Sequence, residues 1–424
     1  MAVNSIRFSI KAKDKKTKAR LGILKTPNGE VSTPAYIPVG TQGSVKGLTP
    51  DQIRELGSEI VLSNTYHLHL RPGEEIIKNL GGLGKFMGWH GPTMTDSGGY
   101  QVFSLGVAQK KVSVQNKSGK RMSKFTKSVF LSPADTQFLL PSITKTRQDK
   151  IKNKLKQAII NDDGVWFYSH IDGTKEWFDA RKSIHIQEQL GADLIVAFDD
   201  HESPLWDFET TQISLERTNR WALESINTHK SENQLMYGVI HGGMYEELRR
   251  ASAKFTEKHF NAIAIGGSYS SKKTLYSVMD WSLENVDSNK PRHMLGIGEV
   301  QDLFEGVSRG IDFFDCVAPT RRARHGNIYL SPENGGLISN NFTVQLTNSR
   351  FKIDSMPLDP GCNCYTCLHF SRAYVHHLFS VNELLGLELA TYHNVFFITN
   401  IMKKIRQAIY DGIFLELKES WLRS

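Results

Sequence analysis

Long apolar runs and a secretion signal are absent from this 424-residue sequence. No run approaches the roughly eighteen apolar residues that a membrane-spanning helix needs, which argues against a membrane protein. The first twenty residues are basic but contain neither the apolar segment nor the cleavage pattern of a secretory signal. We therefore expect a cytoplasmic protein that does not associate with a membrane.

Cysteine is also scarce, with four residues in the chain, three of them in the stretch CNCYTC at 362–367. This arrangement is unlike the disulfide framework of a secreted protein and is typical of a metal site in a reducing compartment. Cys362, Cys364 and Cys367 place three thiolates within reach of one ion, and tetrahedral zinc requires a fourth ligand. Spacing alone does not choose among the downstream histidines, which are His369, His376, His377 and His393.

The charge of the chain is moderately basic, with 52 Lys and Arg against 44 Asp and Glu, and the basicity is local. Residues 110–156 hold thirteen Lys or Arg and two acids, Asp135 and Asp149, so the rest of the chain is slightly acidic. A basic insertion of this kind suits contacts with the phosphates of a nucleic acid. The alternative is an insertion whose charges are simply solvated.

Short apolar or β-branched runs recur eight times, and helical patterns follow most of them. The runs are AYIPVGTQG, IVLSNTYH, TMTDSGGY, LIVAFDDH, YGVIHGG, AIAIGGS, MLGIGE and DFFDCVAPT. Eight strands that alternate with helices over about 300 residues predict an α/β protein with a (β/α)₈ barrel, also called a TIM barrel.

We expect one domain that is built around this barrel. The predicted parts are an N-terminal β-hairpin region at 1–35 and the barrel at 36–345, with the basic insertion at about 108–160 inside it. A zinc-binding subdomain and closing helices follow at 346–424.

Polar residues stand at the C-terminal ends of the predicted strands, where barrel enzymes carry their active sites. They are Asn64, Asp96, Asp199, Asp200, His241, Gly266, Gly267 and Asp315. A single Asp in such a place could be a helix N-cap, but four carboxylates at one end favour a catalytic site. In DSGGY and AIGGS, glycines would let the backbone approach a flat ligand, on which Tyr100 could stack. The alternative is an ordinary strand-to-helix turn.

Several long motifs resemble those of the tRNA-guanine transglycosylases (queuine tRNA-ribosyltransferases), in the same order along the chain. They are TQGSVKGLTP, SNTYHLHLRPG, TDSGGYQVFSL, SHIDGTKEWF, GIDFFDCVAPTRRARHG and CNCYTC. The resemblance covers nearly the whole chain apart from the basic insertion. It implies a homodimeric barrel enzyme with a structural zinc ion. It also implies the exchange of guanine at wobble position 34 of a tRNA with a GUN anticodon for a 7-deazaguanine base, through a covalent aspartyl-ribosyl intermediate.

The resemblance also implies a role for individual residues. Asp315 would be the nucleophile and Asp96 the general acid/base, which suits a reaction that forms a ribosyl ester and moves one proton. The base would be bound by Asp199, Ser97, Tyr100, His241, Gly266, Gly267 and Leu295. The anticodon loop would be held by Lys46, Arg321 and Arg324, and His393 would be the fourth zinc ligand.

The sequence departs from the family around the base pocket. Asp200 and His201 stand where bacterial members usually have Glu and Cys, and His241 replaces a Gln. Tyr269 and Lys272 stand where a small residue and an acid are expected. A lysine that points inward would repel the ammonium group of 7-aminomethyl-7-deazaguanine, whereas a lysine that faces solvent would not. The incoming base, that compound or queuine, therefore stays open.

Two other functions compete with this interpretation. One is a related transglycosylase that acts on DNA or on another position of tRNA. The other is a non-catalytic tRNA-binding partner subunit, but such a subunit would not need Asp96, Asp199 and Asp315 together. Cys316, next to the expected nucleophile, should lie on the opposite face of its strand and pack in the core.

Overall fold

The computed structural model describes residues 6–100 and 159–423. The predicted basic insertion lies almost entirely outside these residues, so its predicted contacts with phosphates stay a prediction.

The described residues form sixteen strands. In chain order these are β1 (Arg7–Lys13), β2 (Arg20–Thr26), β3 (Gly29–Thr33), β4 (Ala35–Pro38), β5 (Val61–Ser63), β6 (Thr93–Thr95), β7 (Ile159–Ile160), β8 (Val165–Tyr168), β9 (Lys175–Phe178), β10 (Leu194–Val196), β11 (Leu235–Ile240), β12 (Ala262–Ile265), β13 (Arg292–Met294), β14 (Phe313–Cys316), β15 (Asn327–Tyr329) and β16 (Thr343–Gln345).

The same residues form fourteen α-helices. They are α1 (Pro50–Glu55), α2 (Thr65–Leu70), α3 (Glu74–Asn79), α4 (Leu83–Met87), α5 (Ala180–Leu190), α6 (Phe208–Thr228), α7 (Glu246–His259), α8 (Lys272–Leu283), α9 (Val300–Ser308), α10 (Ala318–Arg324), α11 (Tyr365–His369), α12 (Arg372–Ser380), α13 (Leu384–Asp411) and α14 (Phe414–Leu422). Within the ranges that the structure describes, no helix combines the length and apolar composition that a bilayer crossing requires.

Eight of the strands form one parallel sheet in the order β4-β14-β13-β12-β11-β10-β6-β5. Val39, just after β4, bridges to Leu62 of β5 in parallel, which brings the two edges together. Each of these strands overlaps one of the eight apolar runs, although β11 begins two residues before its run and β13 shares only Met294 with its run. The barrel prediction is therefore confirmed. The interior is filled by side chains from alternating positions, among them Ile37, Met94 and Phe313.

One end of the barrel is covered by the antiparallel sheet β1-β2-β3. Leu24 and Val31 of this sheet belong to the same buried cluster as the barrel interior. Because β3 ends two residues before β4 begins, the sheet lies at the N-terminal end of the strands. The opposite, C-terminal end is therefore the one available to a substrate.

The long helix α13 joins the C-terminal region to the barrel. Its residues Ile398, Ile401 and Ile405 pack in one buried cluster with Phe314 of β14. Asn394 of the same helix donates to the carbonyl oxygens of Pro319 and Asn327 and accepts from the backbone N–H of Tyr329. The position of α10 is thus fixed by the helix that also carries His393.

Candidate active site

A cavity of about 840 Å³ opens at the C-terminal end of the barrel. Its walls include residues that lie in or follow seven of the eight barrel strands, all except β11. Three of the predicted carboxylates, Asp96, Asp199 and Asp315, lie in these walls. The volume is within the range of about 300–1,000 Å³ that is usual for small-molecule sites.

Asp315 lies near the end of β14, and one of its carboxylate oxygens is held by two donors. Oδ1 accepts from Nε2 of His293 at 2.9 Å and from the backbone N–H of Gly296 at 3.0 Å. The neighbouring Cys316 also borders the cavity but packs partly against the core. Burial raises the pKa of the Cys316 thiol to about 12, so it is protonated at neutral pH and is a poor nucleophile.

Asp96 follows β6 and is bound by residues that follow β5. Its Oδ1 accepts from the backbone N–H of Thr65 at 2.9 Å, and its Oδ2 accepts from the side-chain amide of Asn64. Burial raises the pKa of Asp96 to about 7, and the charges of Asp315 and Asp199 add to this effect against the Thr65 hydrogen bond. The carboxyl can therefore hold or release a proton near neutral pH.

Asp199 follows β10 and has a fixed negative charge. Burial alone would raise the pKa of its carboxyl, but His241 and Ser97 outweigh burial and hold the pKa below its usual value. Ser97 donates to Oδ1 at 2.6 Å, and Nε2 of His241 lies 2.8 Å from Oδ2. Asp199 is thus an anionic acceptor that suits the N–H groups along the Watson–Crick edge of guanine.

His241, one of the residues expected to bind the base, does not line the cavity. Its side chain is 1% exposed and lies behind Asp199, without reaching the cavity wall. Burial would lower the pKa of His241, but Asp199 and Glu202 raise it to about 9. The protonated ring therefore supports Asp199, and this geometry does not place His241 in direct contact with a base in the cavity.

A buried ion pair of Glu202 and Arg249 lies beneath the Gly266–Gly267 pair. Nη2 of Arg249 lies 2.7 Å from Oε1 of Glu202, and Nη1 donates to the carbonyl oxygen of Gly266 at 2.8 Å. Gly267 has φ of +122°, and a Cβ there would lie 2.7 Å from Nη2 of Arg249. This backbone conformation favours glycine at 267, and a side chain there would also crowd the guanidinium of Arg249.

The aromatic and apolar residues expected on either side of a base, Tyr100 and Leu295, both border the cavity. The ring of His201 lies edge-on to Tyr100, with centroids 4.8 Å apart. Burial and the charge of His241 lower the pKa of His201 to about 4, so this ring is neutral at physiological pH. His201 also borders the cavity, and it is therefore the histidine of this region that can contact a ligand directly.

The three cationic residues expected to contact RNA lie at different depths. Lys46 is exposed, whereas Arg321 and Arg324 are partly buried on α10. Pro319 in the first turn of α10 favours the start of this helix. Arg321 borders the cavity.

Lys272 and Tyr269 belong to the loop and helix start that follow β12. Lys272 borders the cavity and forms an ion pair with the buried carboxylate of Asp302, to which the hydroxyl of Tyr276 also donates. The hydroxyl of Tyr269 donates to the carbonyl oxygen of Gly266 at 2.9 Å. The lysine is thus part of the wall, although its side chain remains 46% exposed.

Cys362, Cys364, Cys367 and His393 form one cluster, with their ligand atoms all within 4.8 Å of one another. Nδ1 of His393 faces the three sulfur atoms at 3.3–3.8 Å, and its Nε2 bonds the carbonyl oxygen of Tyr329 at 3.0 Å. His369 and His376 instead bond backbone carbonyls through Nδ1. Three thiols and one oriented imidazole could hold one metal ion.

Some contacts of the predicted residues were not foreseen from the sequence. The hydrogen bond between His293 and Asp315 joins residues 22 positions apart. The Glu202–Arg249 ion pair behind the glycines joins residues 47 positions apart. Asn64 was noted as a strand-end residue, but its bond to Asp96 was not predicted.

The parallel barrel with three carboxylates in one C-terminal cavity defines a TIM-barrel enzyme. The sequence model of the family described as queuine tRNA-ribosyltransferase matches residues 14–136 and 139–424. The chain belongs to this family, as the motifs indicated.

Individual relatives match over nearly their full length. A protein of Archaeoglobus fulgidus is 42% identical over 95% of this chain and 96% of its own. The queuine tRNA-ribosyltransferase of Roseiflexus sp. is 40% identical over 99% of both chains. That of Caldanaerobacter subterraneus is 40% identical over 99% of this chain and 97% of its own.

Proposed function

We propose that this protein is a tRNA-guanine transglycosylase, a pentosyltransferase that exchanges guanine at the wobble position of a GUN anticodon for a 7-deazaguanine base. The observation that carries the proposal is the convergence of Asp96, Asp199 and Asp315 on one cavity in a chain of this family. Each carboxyl has a different environment, as a reaction with separate nucleophilic, proton-transfer and recognition steps requires.

In the proposed reaction, a carboxylate oxygen of Asp315 attacks C1′ of the ribose. The bond from C1′ to N9 of guanine breaks, its electron pair leaves with guanine, and Asp96 supplies the proton. In the second half, Asp96 takes a proton from the incoming base, whose nitrogen attacks C1′ and releases Asp315. Asp199 would accept from the base, between Tyr100 and Leu295.

The wobble nucleotide must leave its stack to reach the cavity. This gives Lys46, Arg321 and Arg324 a role in holding the anticodon loop.

The test is incorporation of labelled guanine into a tRNA with a GUN anticodon, compared with the same tRNA carrying adenine at the wobble position. We expect label in the first RNA alone. No label in either RNA would refute transglycosylation. Label that persists in the second RNA, or that enters DNA, would favour the related enzyme with another target site.

The incoming base depends on the wall at Lys272. The ion pairs Lys272–Asp302 and Arg322–Glu299 leave this wall close to neutral, unlike a wall with an unpaired acid. We propose that a base with a cationic 7-substituent binds more weakly beside this wall than it would beside a wall that carries an unpaired acid.

Lys272→Glu should strengthen competition by 7-aminomethyl-7-deazaguanine against labelled guanine by about tenfold, which corresponds to about 1.4 kcal/mol. The measurement is the inhibition constant of that base in the exchange assay. Lys273→Glu is the matched control, since Lys273 is exposed and outside the cavity wall. Equal inhibition constants for the two variants would mean that Lys272 does not face the 7-substituent.

We propose Zn²⁺ as the ion held by the cysteine and histidine cluster, because three thiolates and one imidazole suit tetrahedral zinc. Protein side chains would fill all four ligand positions, which indicates a structural role for the ion. It would join the segment of the three cysteines to α13, which carries His393. The homodimer and the cytoplasmic location expected above remain part of this proposal.

Cys364→Ser should remove the metal and lower the melting temperature by about 10 °C or more, because the free energy of metal binding contributes to folding. Metal analysis by mass spectrometry and a thermal unfolding curve check this. Cys316→Ser is the control, since its thiol lies outside the cluster. A Cys364→Ser protein that retains one equivalent of zinc would contradict the assignment.

A further inference from the structure

The buried histidine on Asp315 has no role in the reaction described so far. His293 belongs to β13 and its side chain is fully buried, whereas the Asp315 side chain is 13% exposed at the cavity. The strands β13 and β14 are paired so that His293 lies opposite Phe313. Since side chains alternate along a strand, Asp315 projects to the same face as Phe313, one step nearer the cavity.

Both donors to Asp315 bind the same oxygen. His293 and the backbone of Gly296 donate to Oδ1, and none of the described residues donates to Oδ2. The carboxylate is therefore fixed in rotation, and Oδ2 is the oxygen available to the ribose.

The surroundings of His293 determine which of its nitrogens carries the hydrogen. Its Nδ1 is buried and has no hydrogen-bond partner among residues 6–100 and 159–423. The rings of Tyr237 and Phe313 lie near it, with centroids 5.9 and 6.2 Å away. A hydrogen on Nδ1 would be unsatisfied there, whereas a hydrogen on Nε2 bonds the carboxylate. A hydrogen on Nε2, and none on Nδ1, fits this site.

We propose that His293 is a positioning residue for the nucleophile, which it holds through Oδ1 so that Oδ2 forms and later releases the bond to C1′. This inference rests on the proposed transglycosylase function. When the Oδ2–C1′ ester forms, Oδ1 becomes its carbonyl oxygen and still accepts from His293. When the ester breaks, the electron pair of the C1′–O bond returns to the carboxylate, and the same hydrogen bond stabilises the charge. The histidine therefore acts in both halves of the exchange without exchanging its own proton.

The test compares His293→Phe with His293→Gln. Phenylalanine fills the space beside Tyr237 and Phe313 but cannot donate, whereas the amide N–H of glutamine can occupy the place of Nε2. We expect His293→Phe to lower kcat for guanine exchange by about 10- to 100-fold with little change in KM for tRNA. His293→Gln should recover most of that loss.

A second readout separates positioning from a purely structural role. In His293→Phe, the carboxylate is a poorer leaving group. Guanine should therefore discharge the covalent RNA adduct more slowly. A larger fraction of the enzyme should then be trapped as this adduct on a denaturing gel. Equal kcat for the parent protein and His293→Phe would overturn the proposal, as would equal losses in the Phe and Gln variants with unchanged adduct discharge. A parent protein without exchange would instead refute the proposed function.

Discussion

Asp315→Asn should lower the rate of guanine exchange by about 10³-fold or more and abolish the covalent RNA adduct, a loss of about 4 kcal/mol in transition-state stabilisation. The amide is nearly the same size as the carboxylate and can still accept from His293 through its oxygen. It cannot form the ester, because the group that then faces C1′ is the amide NH₂, which is neutral and a poor nucleophile. The measurements are the exchange rate with labelled guanine and a denaturing gel of protein mixed with tRNA.

Two further variants make this result specific. Asp280→Asn changes a carboxylate that is 51% exposed and pairs with Arg309, and it should leave exchange and adduct unchanged. Asp315→Glu keeps the charge but extends it by one methylene, so it should retain a small residual rate. Undiminished exchange by Asp315→Asn would move the nucleophile to another residue, and Asp96 would be the first candidate.

The barrel could be predicted from the sequence because most of its strands are short apolar runs that end in polar or glycine residues, whereas β13 (Arg292–Met294) only touches the start of its run. This local pattern also placed Asp96, Asp199 and Asp315 at one end. The metal cluster followed from three cysteines within six residues, whereas the choice of His393 came from the family resemblance.

The contacts behind these residues depend on register and on distant pairs, which local patterns do not contain. His241 follows its strand as expected, yet Glu202 accepts from the backbone N–H groups of Gly242 and Gly243 and lies 3.5 Å from Nδ1 of His241. This arrangement holds the ring behind Asp199. The bond from His293 to Asp315 likewise requires the pairing of β13 with β14, and a histidine between Arg292 and Met294 gives no local indication of it.

Asp96→Asn should lower exchange by about 10²- to 10⁴-fold and remove the pH dependence that this carboxyl imposes. With a pKa of about 7, Asp96 is protonated on the acidic side, where it can protonate departing guanine, and ionised on the basic side, where it can take a proton from the incoming base. Adduct formation by the parent protein should therefore slow above about pH 7, and adduct discharge should slow below it. Single-turnover rates of the two half-reactions across this range provide the measurement. A parent profile that is flat through neutral pH would contradict the assignment of Asp96 as the acid and base.

The same variant has a consequence for stability that does not depend on activity. The folded-state pKa of Asp96 lies above the unfolded value of about 3.9, so the folded protein retains a proton that the unfolded chain has lost. The resulting contribution to the free energy of unfolding is fully present below the unfolded pKa and is lost as pH rises through about 7. Asparagine does not ionise, so the melting temperature of Asp96→Asn minus that of the parent should increase between about pH 5 and about pH 8.

Asp199→Asn is the matched comparison, because the sign of its effect is opposite. His241 and Ser97 hold the pKa of Asp199 below its usual value despite burial, so this carboxyl contributes stability above its unfolded pKa and loses it as pH falls. The melting temperature of Asp199→Asn minus that of the parent should therefore decrease as pH rises through the acidic range, and the loss should persist at neutral pH because His241 keeps only Glu202 as an anionic neighbour. Two isosteric substitutions in one cavity would thus shift stability in opposite directions with pH. Curves of the same sign would show that the two carboxyls do not differ in protonation. The proposed division between proton transfer and base recognition requires that they do differ, so this result would contradict it.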